Sequence, residues 1–202
     1  MHLADGVLNL PTLVGSAVCT IAGLALGLRA LTPRTLTTAA LLTAVFFVIG
    51  TLHIPLGIGS VHLILNGLIG LLMGWLAFPV IFVALVLQAL LFSFGGFAVL
   101  GANTLLLAAP AVLAHVVLRP FIAGSVQSRG KLMLLGSLAA IIGIGGATVI
   151  ASAMLWSAGQ EALLNLIVLF SVAQVPVLVI DTIVSALVVA ALGRALPSIF
   201  LR

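Results

Sequence analysis

The chain has 202 residues, of which 64% are hydrophobic and only 5% carry a charge, whereas a soluble surface needs roughly a quarter of its residues charged. It is therefore solvated by lipid rather than by water. The net charge of +4 does not point to nucleic acid, because the seven basic residues are scattered along the chain and form no patch.

The first residues do not read as a signal peptide, since Asp5 stands where a positive n-region would carry Lys or Arg. An apolar helix needs about 20 residues to cross about 30 Å of hydrocarbon. Candidate spans fall at about 11–31, 35–52, 61–76, 78–93, 103–119, 131–157 and 162–194. They predict an all-α integral membrane protein of about seven transmembrane helices in one bundle, a single domain over residues 1–202.

In the first span, Gly23 and Gly27 form a small-xxx-small pair, which suits close helix approach either inside the bundle or against a partner. Cys19 lies in the same run, where it reads as a small residue facing lipid or another helix. The third and fourth spans are short and nearly contiguous, so they predict a tight helical hairpin with Trp75 at its tip, an interfacial anchor. The last stretch would be about 50 Å long as one helix.

Basic residues flank membrane helices on the cytoplasmic side. Seven spans with an external N-terminus put Arg29, Arg34, Arg119, Arg129, Lys131, Arg194 and Arg202 all inside. An eighth span would strand Arg194 and Arg202 outside. The same arrangement places the N-terminal segment and the 53–60 and 94–102 loops together on the outer side, with His115 deeper in the fifth span.

Four elements carry chemistry. A terminal amine at Met1, the amide nitrogen of His2 and the His2 Nδ1 can chelate one metal through fused rings, and a fourth imidazole would complete a planar nitrogen site suited to Ni(II) or Cu(II) and open to Co(II). Gly59-Ser60-Val61-His62, followed by Asn66-Gly67, puts an imidazole at the outer start of a span, where it needs a partner; His53 reads as interfacial or as a neighbour of the ligands. Phe94-Gly95-Gly96 through Gly101-Ala102-Asn103 is a glycine-rich break that should be packed inside the bundle or line a cavity, with Asn103 either orienting a ligand histidine or capping a helix. Gln174 and Asp181 lie seven residues apart on one helix face, and an intramembrane carboxylate is a candidate for function, against the plainer roles of an interhelical hydrogen bond or a contact to Arg194. The sequence contains no G-x-x-x-x-G-K-[ST] phosphate loop.

Taken together, Met1-His2 with Asp5-Gly6, Gly59-Ser60-Val61-His62, Gln88-Ala89-Leu90-Leu91 with Gly95-Gly96, Leu100-Gly101-Ala102-Asn103 and Gln174-Val175-Pro176 with Asp181 resemble the CbiM/NikM family. These are the substrate-binding components of energy-coupling-factor transporters for cobalt and nickel. The resemblance runs from residue 1 to about residue 190. It implies a seven-helix fold with the N-terminal segment, residues 1–10, tucked into the bundle from outside. It implies metal held by Met1, His2 and His62, while the residues themselves suggest Asn103, Asp181, Gln174 and His53 as support for the site or its gating.

The partners it implies are a transmembrane coupling subunit, ATPase subunits and, in some systems, a small accessory membrane subunit. Three departures stand out: Phe94 where the family usually has histidine, Leu63-Ile64-Leu65 where it has Pro-Thr-Gly, and Asp181 where it has glutamate.

The expected function is thus capture of Ni(II) or Co(II) as cargo, with no bound organic cofactor and no nucleic-acid partner, in a bacterial or archaeal cytoplasmic membrane. The chain is expected to be no enzyme, ATP hydrolysis residing on separate subunits. The alternative is a secondary transporter for a small organic solute, which would run without an ATPase and without the Met1 amine.

Overall fold

A computed structural model describes residues 3–51, 54–56, 59–125, 127–157, 162–196 and 199–200. In chain order the elements are α1 (Leu10–Arg29), α2 (Pro33–Thr51), a hairpin of β1 (Ile54–Leu56) and β2 (Gly59–Val61), α3 (Asn66–Met73), α4 (Ala77–Phe92), α5 (Leu100–Ile122), α6 (Arg129–Ser157) and α7 (Ala162–Ala195). The two short strands pair antiparallel with Ile54 opposite Val61. Met1, His2 and His53 lie outside the described residues.

Helix α1 starts where the Asn9 side chain accepts the Thr12 N–H at 3.0 Å, with a proline in the first turn, so one of the N–H groups that a helix leaves open is satisfied locally. The Asn9 amide also donates to the Ser157 carbonyl at 2.8 Å, which ties the start of α1 to the end of α6.

The expected hairpin is present, but its first arm is shorter than the sequence suggests. Among the described residues six helical stretches are long and apolar enough to cross a bilayer, and residues Asn66–Phe92 count as one of them. Within that stretch Gly74 has φ +57 and a 3-10 turn covers Gly74–Leu76, so the chain reverses there. Helix α3 has eight residues and reaches only about 12 Å. The third crossing therefore combines a non-helical segment, residues 62–65, with a half-helix. Helix formation is delayed because the N–H groups of Ile64 and Leu65 are taken by a side chain of α7.

Glycines admit this half-helix into the bundle. A Cβ at Gly67 would strike the Ala139 carbonyl, and one at Gly70 would strike the Ala111 carbonyl. Helix α3 is thus wedged between α5 and α6 with its backbone against theirs, the close approach that replaces hydrophobic driving force in lipid. The pair on α1 is used inside the bundle too: Gly23 faces Phe78, and Gly27 faces Pro79 and the Trp75 carbonyl. Trp75 stacks on Phe78 and remains partly exposed at the hairpin tip.

The two ends of the bundle differ in charge. Arg119 shares a pocket with Ala30 and Thr35, neighbours of Arg29 and Arg34; Arg129 shares one with Arg194; and Lys131 lies beside Leu118 and Phe121. All six described basic residues gather at this end. The N-terminal segment, the β-hairpin connection into α3 and the Gly95-Gly96 turn lie at the other.

Candidate metal-capture site

The N-terminal segment enters the bundle at Leu3, whose side chain is buried in a core it shares with Ile64, Leu106 and Val177. A side chain of α5 fixes its backbone. The Leu3 N–H donates to Asn103 Oδ1 at 2.8 Å, and Asn103 Nδ2 donates to the Leu3 carbonyl at 3.1 Å. Asn103 is itself buried, and both its amide oxygen and its amide nitrogen bond the segment. It does not cap the helix: it sits inside α5 and holds backbone.

Just beyond, Asp5 approaches the turn between α4 and α5. A Cβ at Gly96 would strike the Asp5 carboxylate, and Gly95 and Gly96 both have positive φ, at +81 and +97. Glycine is the residue that adopts this backbone without strain. The break is half-buried at Gly95 and Gly96 and exposed at Phe97 and Ala98, and it lines a pocket with Ala4 and Asp5. Phe94 stacks on Phe92, which in turn meets Phe47. An aromatic row occupies that flank.

His62 follows β2 and is half-buried. Its Nδ1 lies 3.1 Å from the Leu63 carbonyl. A carbonyl only accepts, so this bond requires the proton on Nδ1 and puts the lone pair on Nε2, the atom then suited to a metal.

Asp181, on α7, is fully buried beneath that segment. Its carboxylate accepts the Ile64 N–H at 3.3 Å and the Leu65 N–H at 2.8 Å. It bridges α7 to the residues that follow His62, and its partners are these backbone groups rather than Arg194. Leu65 itself has φ +51, a left-handed conformation in which leucine is strained by roughly 1–3 kcal/mol. A glycine would adopt that turn freely.

Asn66, which the sequence reading left without a role, completes the turn. Its Nδ2 donates to the Leu107 carbonyl of α5 and to the Gly143 carbonyl of α6, each at 3.0 Å, while its Oδ1 is buried without a hydrogen-bond partner. The available signal was an amide in an otherwise apolar run. Gln174 lies two turns outward of Asp181 on α7, and its Oε1 is likewise buried without a partner. His115 is elsewhere: its Nδ1 faces the Leu71 carbonyl at 3.3 Å, and its ring packs on Gly74 near the basic end.

The structure thus fixes two strands of chain from separate helices, Leu3 through Asn103 and residues 64–65 through Asp181. Among the described residues no three His, Cys, Asp or Glu side chains converge, two of the three expected ligands being outside them.

A family model described as the cobalt uptake substrate-specific transmembrane region, CbiM, matches residues 2–199. A protein of Haemophilus influenzae whose name assigns it to metal transport is 47% identical over 202 residues, covering all of this chain and 98% of that protein. A fused nickel transport protein, NikMN, of Rhodobacter capsulatus is 32% identical over 160 residues; the match takes in 75% of this chain and 46% of that longer protein. Two crystal structures of transition metal transporters, one of them truncated, share the fold. Their TM-scores are 0.67 and 0.66 at 23% identity, over 98% of this chain and 99% and 93% of theirs. With its helical membrane bundle and a match along nearly its whole length, the chain belongs to the CbiM family of transmembrane cobalt and nickel transport proteins.

Proposed function

We propose that this chain is the metal-capturing subunit of an energy-coupling-factor importer, taking Ni(II) or Co(II) from outside and releasing it inward when ATP-driven partners act on it. The ligands in this reading are the Met1 amine, the amide and imidazole nitrogens of His2, and His62 Nε2. The ion is cargo, and the chain itself makes and breaks no covalent bond. The partners are a transmembrane coupling subunit and ATPase subunits, joined in some systems by a small accessory membrane subunit. The setting is a bacterial or archaeal cytoplasmic membrane.

The observation that carries the reading is the anchoring of Leu3 by Asn103 at the same end of the bundle as His62. Two residues of chain reach at most about 7 Å beyond Leu3, so the anchor confines where their nitrogens can act. In support, residues 62–65 pack through Ile64 into the same core as Leu3. Membership in a cobalt and nickel family displaces the organic-solute reading.

The test compares His62→Ala with His53→Ala in purified protein. His62→Ala should abolish tight nickel or cobalt binding by calorimetry, and His53→Ala should weaken it modestly at most. The opposite ranking would move the site into the hairpin loop. Transport in cells should further require the ATPase partners; uptake without them would sink the coupling mechanism.

A further inference from the structure

We propose that Asn66 is a positioning residue for the captured ion: through the strained turn at Leu65 it sets how deep and in which direction His62 is presented. The inference rests on the metal-capture reading and adds a residue to it.

Four observations converge on this position. Asn66 is fully buried at the first residue of a half-helix, four residues after His62. Its two amide hydrogens are both used, one on α5 and one on α6, so it fixes the beginning of α3 against two helices at once. The residue before it is held at φ +51 against its own preference, a conformation that persists only where its surroundings over-determine it. Asp181 clamps the N–H groups of Ile64 and Leu65 from α7, so the turn is gripped by three helices.

Packing alone does not explain this arrangement, since the close contacts of Gly67 and Gly70 already seat α3. An amide at this point adds something that glycine packing cannot, a fixed rotational setting for the four-residue segment leading back to the imidazole. A planar four-nitrogen site tolerates little displacement of its fourth ligand, because low-spin nickel depends on that plane. The buried Oδ1, with no partner of its own, leaves Nδ2 as the only part of the amide that does this work.

Asn66→Leu keeps the volume and removes both donors, while Asn66→Ser fits the space and keeps one. The probe is Ni(II) alone, added to the purified full chain in detergent. The parent should bind about one ion in a diamagnetic, low-spin state. Asn66→Leu should weaken binding about tenfold or more and convert bound nickel wholly or partly to the paramagnetic form, read by magnetic susceptibility and by the visible spectrum; Asn66→Ser should fall between.

A variant of lower thermal stability but unchanged affinity and unchanged nickel spectrum would show a structural role only and overturn the inference. Should Asn66→Leu fail to fold, Asn66→Ser decides by the same two readouts. A parent that binds nickel in a His62-dependent way, with both variants indistinguishable from it, sinks this inference and leaves the capture reading standing. A parent that binds no nickel or cobalt sinks both.

Discussion

Asn103 grips Leu3 by both of its peptide groups, accepting the N–H at 2.8 Å and donating to the carbonyl at 3.1 Å. The pairing mimics one rung of a β-ladder, with a side-chain amide standing in for a strand. It joins residue 3 to residue 103 in a place where neither group can turn to water. Asn103→Leu should therefore leave the bundle intact, since interhelical hydrogen bonds in membranes average only about 0.6 kcal/mol. It should release the N-terminal segment and weaken metal binding about tenfold or more, as loss of a supporting contact does. Calorimetry on the purified variant checks this, and unchanged affinity would mean that the anchor has no part in the site.

Asp181 holds the other strand of the site. Asp181→Asn retains one acceptor oxygen for the Leu65 N–H, so the purified protein should still carry metal while uptake by the full complex falls. Asp181→Leu removes both acceptors from two buried N–H groups and should cost about tenfold or more in affinity. Elemental analysis and uptake assays separate the two effects. A complete loss of metal in Asp181→Asn would instead make the carboxylate a direct ligand.

The spans were legible because lipid imposes length and apolarity on every helix, and the hairpin at Trp75 was legible because two apolar runs abut with no polar loop between them. The start of α3 was not. Residues 61–65 are nearly as apolar as the helix that follows, and what holds Ile64 and Leu65 out of it is Asp181, 116 residues away from Leu65. Local pattern carries no trace of such a contact. The use of Gly23 and Gly27 was equally undecided in sequence, since a small pair serves an internal neighbour and an external one alike. Asn103 and Asp181 could be picked out as polar groups in apolar surroundings, but that each would bind backbone rather than another side chain depended on where the partner chain ran.

The wedge of α3 gives a direct test of the packing. Gly70→Ala would normally favour a helix by about 1 kcal/mol, yet here the new methyl group meets the Ala111 backbone, and overpacking of this kind typically costs about 1–3 kcal/mol. Gly145→Ala is the control, because nothing lies within 4 Å of its added methyl. Thermal unfolding in detergent should show Gly70→Ala destabilised and Gly145→Ala equal to or above the parent. Equal stability of the two would show that α3 does not sit against α5 this closely.

Orientation in the membrane follows from the gathering of the basic residues at one end and the rule that such residues stay in the cytoplasm. In a Cys19→Ser background, Ala4→Cys should label from outside and Gln127→Cys only from inside. Both positions are exposed in the fold, so access depends on sidedness. Labelling of both from the same side would overturn the orientation and separate the capture site from the external medium.

The sharpest prediction concerns Met1, because a chelate built from an amine and the adjacent amide depends on that amine being terminal. One added alanine, or a tag, would turn the amine into a peptide nitrogen and move the terminus away from His2. The fold should be unaffected, since α1 is capped locally by Asn9 and the core begins at Leu3 and Leu8, both downstream of the change. The extended protein should thus be monodisperse in detergent and bind no nickel or cobalt, while a C-terminally tagged control binds about one ion per chain, as the capture reading requires of a single four-nitrogen site. Binding to the control should weaken as pH falls, because the chelate releases the His2 amide proton and acid opposes that release. The pH series also separates this site from a surface cluster of neutral imidazoles, which would lose metal only as the histidines protonate near their ordinary pKa of about 6.5. If the extended protein binds as tightly as the control, the amine is not a ligand and His62 must be completed by other groups.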